Sequence, residues 1–315
     1  MKKRILITGG AGNIGGSLSR RLVLDNDNHI TIVDNLLTGS TDNLPDKKYT
    51  NWRYINSNVN DYSDISPIIT SGSFDIIFHY AALVGVHRTL AHPKMVLDDI
   101  DGLKNIMSLA KNTGVKRVLF SSSSEIYGEP VEIPQVEATT PLNSRLPYAI
   151  VKNVAEAFCK AYHLEYNLNY TIFRFFNTYG PLQSNDFVMS RFIRQALGNK
   201  NITIHGTGEQ TRTFCFIDDN LDATLLAMNE DHWLNDVVNI GSDVEISVVD
   251  LAKKIIELTS SKSNIVHIEA REEGDMTRRQ PDISKMRHVL KRDLISLDKG
   301  IMLTVDSIVT RQRSS

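Results

Sequence analysis

The stretch "ILITGGAGNIGGSLSRRL", residues 5–22, joins an apolar run to a glycine cluster and then to a helical pattern. The run reads as a strand and the pattern as a helix, so Gly9, Gly12 and Gly15 fall in the turn between them. Through Gly10 the same turn satisfies G-x-G-x-x-G. Bare backbone there lets a pyrophosphate approach the N–H groups at the positive end of a helix. Nineteen residues after Gly15, "TIVDN" closes a second apolar run with Asp34, placed to hydrogen-bond a ribose 2′-hydroxyl. A 2′-phosphate would meet a like charge there and no arginine follows, which points to NAD rather than NADP.

Around this turn, the first half alternates short β-rich runs with helical stretches: "RILIT" (4–8), "HITIVD" (29–34), "WRYIN" (52–56), "FDIIFHYA" (74–81), "RVLFSS" (117–122). Their hydrophobicity is continuous rather than alternating, the mark of strands covered on both faces. The pattern predicts an α/β fold, a doubly wound parallel sheet of the Rossmann type. After "NYTIFRF" (169–175) the rhythm changes to an irregular segment, a helix near 187–198 and short strands around 202–204 and 212–217. The division expected is a dinucleotide-binding domain over 1–175 and a smaller α/β substrate part over 176–315. No Pro/Gly/Ser linker separates them, so they pack together and a ligand cleft is expected between them.

Composition narrows the function further. With 35 basic and 37 acidic residues in 315, a net charge of −2 argues against a nucleic-acid footprint or a polybasic membrane surface. No apolar run reaches the roughly 18–20 residues of a membrane span, and the short run after "MKKR" is unlike a secretion signal, so a cytoplasmic setting is expected. Cys159 and Cys215 sit in apolar contexts without metal-type spacing and read as buried free thiols; no metal site is visible.

Two polar features stand out from the apolar pattern. "SSSSEIYGE" (121–129) puts four hydroxyls, a carboxylate and a phenol directly after an apolar strand. It is either a solvated turn or a set of ligand contacts, and its place at the carboxyl end of a strand favours the second. "PYAIVKNVAEAFCKAY" sets Tyr148 and Lys152 four residues apart, one turn apart on one helix face. Alone such a pair reads as a snorkelling surface pair; after a dinucleotide fold it reads as an acid-base centre. Ionising a phenol near pH 7 means lowering its pKa by about 3, roughly 4 kcal/mol, which a neighbouring ammonium and an oxidised nicotinamide could supply.

These residues together resemble the extended short-chain dehydrogenase/reductases, in particular the NAD-dependent nucleotide-sugar epimerase/dehydratase family. "TGGAGNIGG" is similar to its T-G-G-x-G-x-I-G, "HYAA" to its H-x-A-A, "SSSSEIYG" to its S-S-[ST]-x-x-[VI]-Y-G and "PYAIVK" to its P-Y-x-x-S-K. "RFFNTYGP" and "GTGEQTRTFCFIDD" resemble its sugar-nucleotide half. The resemblance implies Ser123 as the catalytic hydroxyl, Tyr148 as the base and Lys152 as its electrostatic partner and ribose ligand. It also implies cofactor contacts at Asn13, Ile14, Asn35, Thr38, Gly39, Asn58, Val59, Ala81 and Ala82. Substrate contacts are implied at Ser124, Asn177, Val188, His205, Arg212 and Arg279; a guanidinium fork grips phosphate in a bidentate way. A UDP-linked sugar substrate and a homodimer are implied by the resemblance only.

The chain departs from the pattern in places. Asn58 stands where an aspartate is usual near the adenine, Val151 replaces a serine before the lysine, and "DDIDG" brings Asp99 and Asp101 where N-V-x-G is common. The shared first step of the family is oxidation at sugar C4, and the fate of the resulting 4-ketone sets the product. Glu125, in Ser123-Ser124-Glu125, is the discriminating residue. The expected reaction is a UDP-sugar 4-epimerisation, with UDP-glucuronate decarboxylation the alternative and 4,6-dehydration after that. A non-enzymatic NAD-binding sensor is the reading of another class.

Overall fold

The computed structural model describes residues 2–270 and 277–314. Six strands come from the first half: β1 (Lys3–Thr8), β2 (Asn28–Asp34), β3 (Trp52–Asn56), β4 (Ile76–His79), β5 (Arg117–Ser123) and β6 (Asn169–Phe175). Between them run helices α1 (Asn13–Leu22), α2 (Tyr62–Gly72), α3 (Val86–Ala91), α4 (Pro93–Thr113) and α5 (Pro147–Tyr166). The second half adds β7 (Thr178–Tyr179), α6 (Val188–Leu197), β8 (Ile202–His205), β9 (Thr211–Thr213), β10 (Cys215–Phe216) and α7 (Ile217–Glu230). It ends with β11 (Asp236–Ile240), β12 (Glu245–Ser247), α8 (Val248–Thr259), β13 (Ile265–Ile268), α9 (Ser284–Leu290) and α10 (Leu297–Ser314).

Seven parallel strands form one sheet in the order β11-β6-β5-β4-β1-β2-β3. The parallel doubly wound sheet read from the sequence is present, and both its faces are covered. Ile5 and Ile7 of β1 join one core cluster with α1 and the helices of the second half, while Leu6 joins a second with α2, α4 and α5. That is why β1 is apolar without alternation. The strand expected over 74–81 is shorter, because Phe74 packs into the second core cluster ahead of β4 while the chain after His79 leaves the ladder.

The seventh strand, β11, comes from the second half and pairs with β6 at the sheet's edge. The sheet therefore straddles the division expected at residue 175. Beyond it the second half makes three two-stranded sheets, β10-β7, β12-β9 and β13-β8. Strand order reverses between β1 and β4, the crevice where ligands bind in such sheets. Among the described residues no helix is long and apolar enough to cross a membrane.

Candidate active site

A cleft of about 1110 Å³ runs along the carboxyl ends of the strands. Its walls are Gly9 after β1, Asp34 ending β2, Asn58 after β3, Ala81 after β4, Ser123 ending β5 and Asn177 after β6. At its floor the glycines do what the turn requires. Gly9 has φ +69°, and a Cβ on it would lie 2.6 Å from the Ala81 nitrogen. A Cβ on Gly15 would lie 2.3 Å from the Gly9 carbonyl oxygen. The start of α1 carries no side-chain cap, so its first N–H groups are left facing the cleft.

The residues suit a dinucleotide such as NAD. Asn13 Oδ1 and Ser57 Oγ line the cleft, are buried, and have no hydrogen-bond partner among the described residues. Asp34 Oδ2 accepts from Ala11 N–H at 2.9 Å and Oδ1 from Leu36 N–H at 2.8 Å, which fixes the carboxylate while a lone pair on each oxygen remains. Asn58 Oδ1 accepts from Asn60 N–H at 3.1 Å and keeps one acceptor position. Asn13, Ile14, Gly12, Asn35, Thr38, Val59 and Ala82 also line the cleft. Gly39 does not; it backs against Ala11 and Asp34, 3.0 Å from Asp34 Oδ1 were it to carry a Cβ. The lack of a side chain there lets the loop close on that carboxylate.

The polar run after β5 divides its labour. Ser121 and Ser122 remain in the strand, and the Ser123 hydroxyl accepts from Glu125 N–H at 3.2 Å to start a single 3-10 turn. Ser123, Ser124 and Glu125 line the cleft; Tyr127 turns inward, almost fully buried. Pro147 starts α5 at a position where its missing N–H costs nothing. Tyr148 and Lys152, one turn apart, both face the cleft.

Lys152 is 4% exposed, and its Nζ donates to the Ser121 carbonyl at 2.7 Å. The ammonium lies 4.9 Å from the Phe120 ring centroid and 5.7 Å from that of Tyr148. Burial pulls its pKa down to about 8, opposed by the charge of Asp99. The Tyr148 phenol is held above its ordinary value by burial and then by the Glu125 charge, while Ser123 and Arg279 pull it the other way. The lowered phenol expected from its lysine neighbour is thus not produced by the protein alone: the ammonium points at a carbonyl, and the Glu125 carboxylate adds to the effect of burial. His79, hydrogen-bonded to Thr8 Oγ1 at 2.8 Å, is neutral, since burial and then Lys152 push its pKa down to about 3.

Opposite Tyr148 lies an ion pair that sequence spacing does not show. Arg279 NH1 stands 3.7 Å from Glu125 Oε1, with side chains only 7% and 20% exposed. Asn177 also faces the cleft; one of its amide hydrogens goes to the Thr213 carbonyl at 2.9 Å and the other is left for a ligand. Val188, at the start of α6, lines it too. His205 and Arg212 do not line this cleft. His205 sits at the end of β8 with Nδ1 3.0 Å from the Glu269 carbonyl, and Arg212, 8% exposed on β9, donates to the Thr211 carbonyl at 2.7 Å. The short β8 and β9 that carry them belong to two of the small two-stranded sheets.

Behind the catalytic turn is a buried polar network that sequence reading missed. Ser122 Oγ donates to Glu156 Oε1 at 2.6 Å, and Arg174 binds both oxygens of Glu156, at 2.9 and 2.7 Å. Arg174 also donates to the Tyr127 hydroxyl at 2.8 Å, which donates to Asn239 Oδ1 at 2.8 Å. Burial alone would make the guanidinium easier to deprotonate; the bonds and charge of Glu156 reverse that. The network ties β5, α5, β6 and β11 together behind Ser123 and Lys152. Two signals were available: Glu156 lies one turn beyond Lys152 on the same face, and Arg174 interrupts the apolar run Ile172–Phe176. Cys159 and Cys215 are buried and free, and burial holds both thiols protonated. Among the described residues no cluster of His, Cys, Asp or Glu could hold a metal ion.

Comparison with known proteins returns a consistent set. The profile described as the NAD dependent epimerase/dehydratase family matches residues 5–241. The chain is 34% identical to a UDP-N-acetyl-alpha-D-glucosaminuronate decarboxylase of Bacillus cytotoxicus, over 97% of each chain. It is also 34% identical to UDP-glucuronic acid decarboxylase 1 of Xenopus tropicalis, over 96% of this chain and 72% of that one. Among solved structures, the UDP-glucose 4-epimerase of Thermotoga maritima with UDP-glucose superposes with a TM-score of 0.91 at 30% identity, covering 98% of this chain and 99% of that one.

Proposed function

The chain belongs to the NAD-dependent epimerase/dehydratase family of enzymes, and on that premise we propose that it oxidises C4 of a UDP-linked hexuronate and releases its C6 carboxylate as CO2. The observation that carries this reading is the Glu125–Arg279 pair, 3.7 Å apart and mostly buried on the wall shared with Ser123 and Tyr148. A neutral hexose can offer a guanidinium already held by a carboxylate only hydroxyl acceptors. A hexuronate offers more: its own carboxylate can take Arg279 in a bidentate bond.

NAD, when bound against the glycine turn and Asp34, supplies the two-electron acceptor for C4 and returns the pair at the end. The protein does the proton work. Ser123 Oγ orients the C4 hydroxyl, and Tyr148 Oη takes its proton as a phenolate, a form that needs the positive charge an oxidised nicotinamide would add beside the Lys152 ammonium. The resulting 4-ketone makes the hexuronate a β-keto acid. When the C5–C6 bond breaks, its electron pair passes into the C4 enolate, which the Tyr148 O–H stabilises. C5 must then receive a proton. Substrate carboxylate on Arg279 draws that residue from Glu125, freeing the glutamate to take up a proton from water and deliver it to C5.

A 4-epimerase is the second reading, favoured by the full-length similarity to the Thermotoga maritima epimerase. We further propose a homodimer formed through α4 and α5, which expose Leu97, Ile150, Leu164 and Tyr166. The test of the reaction is direct: UDP-glucuronate labelled with 13C at C6, UDP-glucose and UDP-N-acetylglucosamine are incubated separately with the purified protein and followed by NMR. Labelled CO2 and a UDP-pentose are expected. Equilibration of UDP-glucose with UDP-galactose and no labelled CO2 would overturn decarboxylation in favour of epimerisation.

A further inference from the structure

Asp99 is the feature of the cleft that the reaction does not use. It lies on α4, where the family pattern has an amide, and it lines the cleft with Lys152 and Tyr148. Asp99 Oδ2 accepts from Leu83 N–H at 2.8 Å, and Oδ1 accepts from Asn60 Nδ2 at 3.1 Å. Both bonds are accepted, which is how an ionised carboxylate is used; a protonated acid would have to donate one. Asp101, two residues on, is exposed and paired with Lys104 at 3.0 Å, so it adds nothing inside.

We propose that Asp99 is a positioning residue: its carboxylate is the counter-charge that keeps the enclosed Lys152 cationic, while its bonds to Leu83 and Asn60 hold the cleft wall after β4. The geometry leaves few other candidates for the first task. Lys152 Nζ bonds a neutral carbonyl, that of Ser121. On β4 it faces His79, which is neutral; on its own helix it faces Tyr148, protonated in the protein alone, and Glu156, whose two oxygens are both taken by Arg174. Asp98, beside Asp99, is paired with Lys94 at 3.3 Å, and Glu125 is engaged with Arg279. Val96 and Ile100, flanking Asp99 on α4, pack in one cluster with Val151 and Tyr148 of α5, which sets Asp99 at the helix contact beside Lys152, where its charge supports the lysine against burial. Asp99 itself is pushed up by burial and held down by Leu83, Asn60 and Lys152, so the two groups maintain each other's charge.

The inference rests on the proposed roles of Tyr148 and Lys152 only for its effect on rate, so the primary readout is independent of turnover. The ligand-free protein labelled with 13C-lysine is titrated by NMR, following the Lys152 Cε resonance. In Asp99→Asn, and in Asp99→Ser as a second neutral variant, the Lys152 midpoint should fall by about one pH unit or more. Asp99→Glu should restore it, and Asn60→Ala, which removes one bond to the carboxylate but keeps the carboxylate itself, should shift it less than either neutral variant. The alkaline limb of kcat should move with the midpoint, while KM changes little. A midpoint that moves less than about half a pH unit in both neutral variants overturns the proposal. So does an equal shift in Asn60→Ala. Loss of decarboxylation with the lysine titration behaving as stated would instead count against the proposed reaction.

Discussion

Glu125→Gln tests the proposed chemistry at the residue where the two leading reactions diverge. Glutamine keeps the size and one acceptor of glutamate but removes its charge and its transferable proton. At 3.7 Å from Arg279 the native charge pair is worth about 4–5 kcal/mol at an effective dielectric of about 20, an upper bound on what a substrate carboxylate must displace. Relieving that competition should leave KM for UDP-glucuronate unchanged or lower. Losing the proton carrier should reduce kcat for CO2 release by about 10²–10⁴-fold, roughly 3–5 kcal/mol of barrier. Oxidation at C4, which uses Ser123, Tyr148 and Lys152, should persist, and a single-turnover absorbance rise at the reduced-nicotinamide band should precede the slowed step. Stopped-flow absorbance paired with NMR of released CO2 separates the two. The reasoning fails if the variant releases CO2 within tenfold of the wild-type rate, or if it loses the absorbance rise along with the product.

Tyr148→Phe should bind NAD almost as tightly as wild type by calorimetry while losing turnover; activity within tenfold of wild type would remove the base assignment. Asp34→Ala should weaken NAD and admit NADP, read as the ratio of the two dissociation constants, because the carboxylate that repels a 2′-phosphate is gone; an unchanged ratio contradicts the cofactor argument. Lys152→Met should change how stability depends on pH. The folded pKa of Lys152, about 8, lies below its unfolded 10.5, so between these values the folded state binds fewer protons and wild-type stability gains from rising pH. Denaturant titrations of the ligand-free protein should show the Met variant gaining up to about 3 kcal/mol over wild type below pH 8, the difference closing by pH 10.5; a difference independent of pH would mean that the fold does not lower the pKa of the lysine.

The local parts of this protein could be read in the sequence because local geometry is set by residues a few positions apart. A strand covered on both faces carries a continuous apolar run, as in residues 5–7 of β1 and 118–120 of β5, and the sheet's parallel winding follows from six such runs. The glycine turn is legible because Gly9 needs a left-handed φ and Gly15 a close backbone approach, both imposed by a strand turning into a helix. Tyr148 and Lys152 share a face because they are one helical turn apart, and Glu156, one turn further, was within reach of the same reasoning. Encounters between distant segments lie outside that reach and come from the folded chain alone. Arg279 meets Glu125 because the chain after β12 and β13 folds back over the end of β5. Asp99 faces Lys152 because α4 packs on α5, and β11 joins the sheet because β6 leaves its edge open. His205 and Arg212, assigned by motif to the substrate, end up on small sheets outside the cleft. The electrostatics of the phenol also belong to this level. Spacing places an ammonium near Tyr148, but the sign of its pKa shift depends on burial and on a carboxylate from another strand end, and no periodicity encodes either.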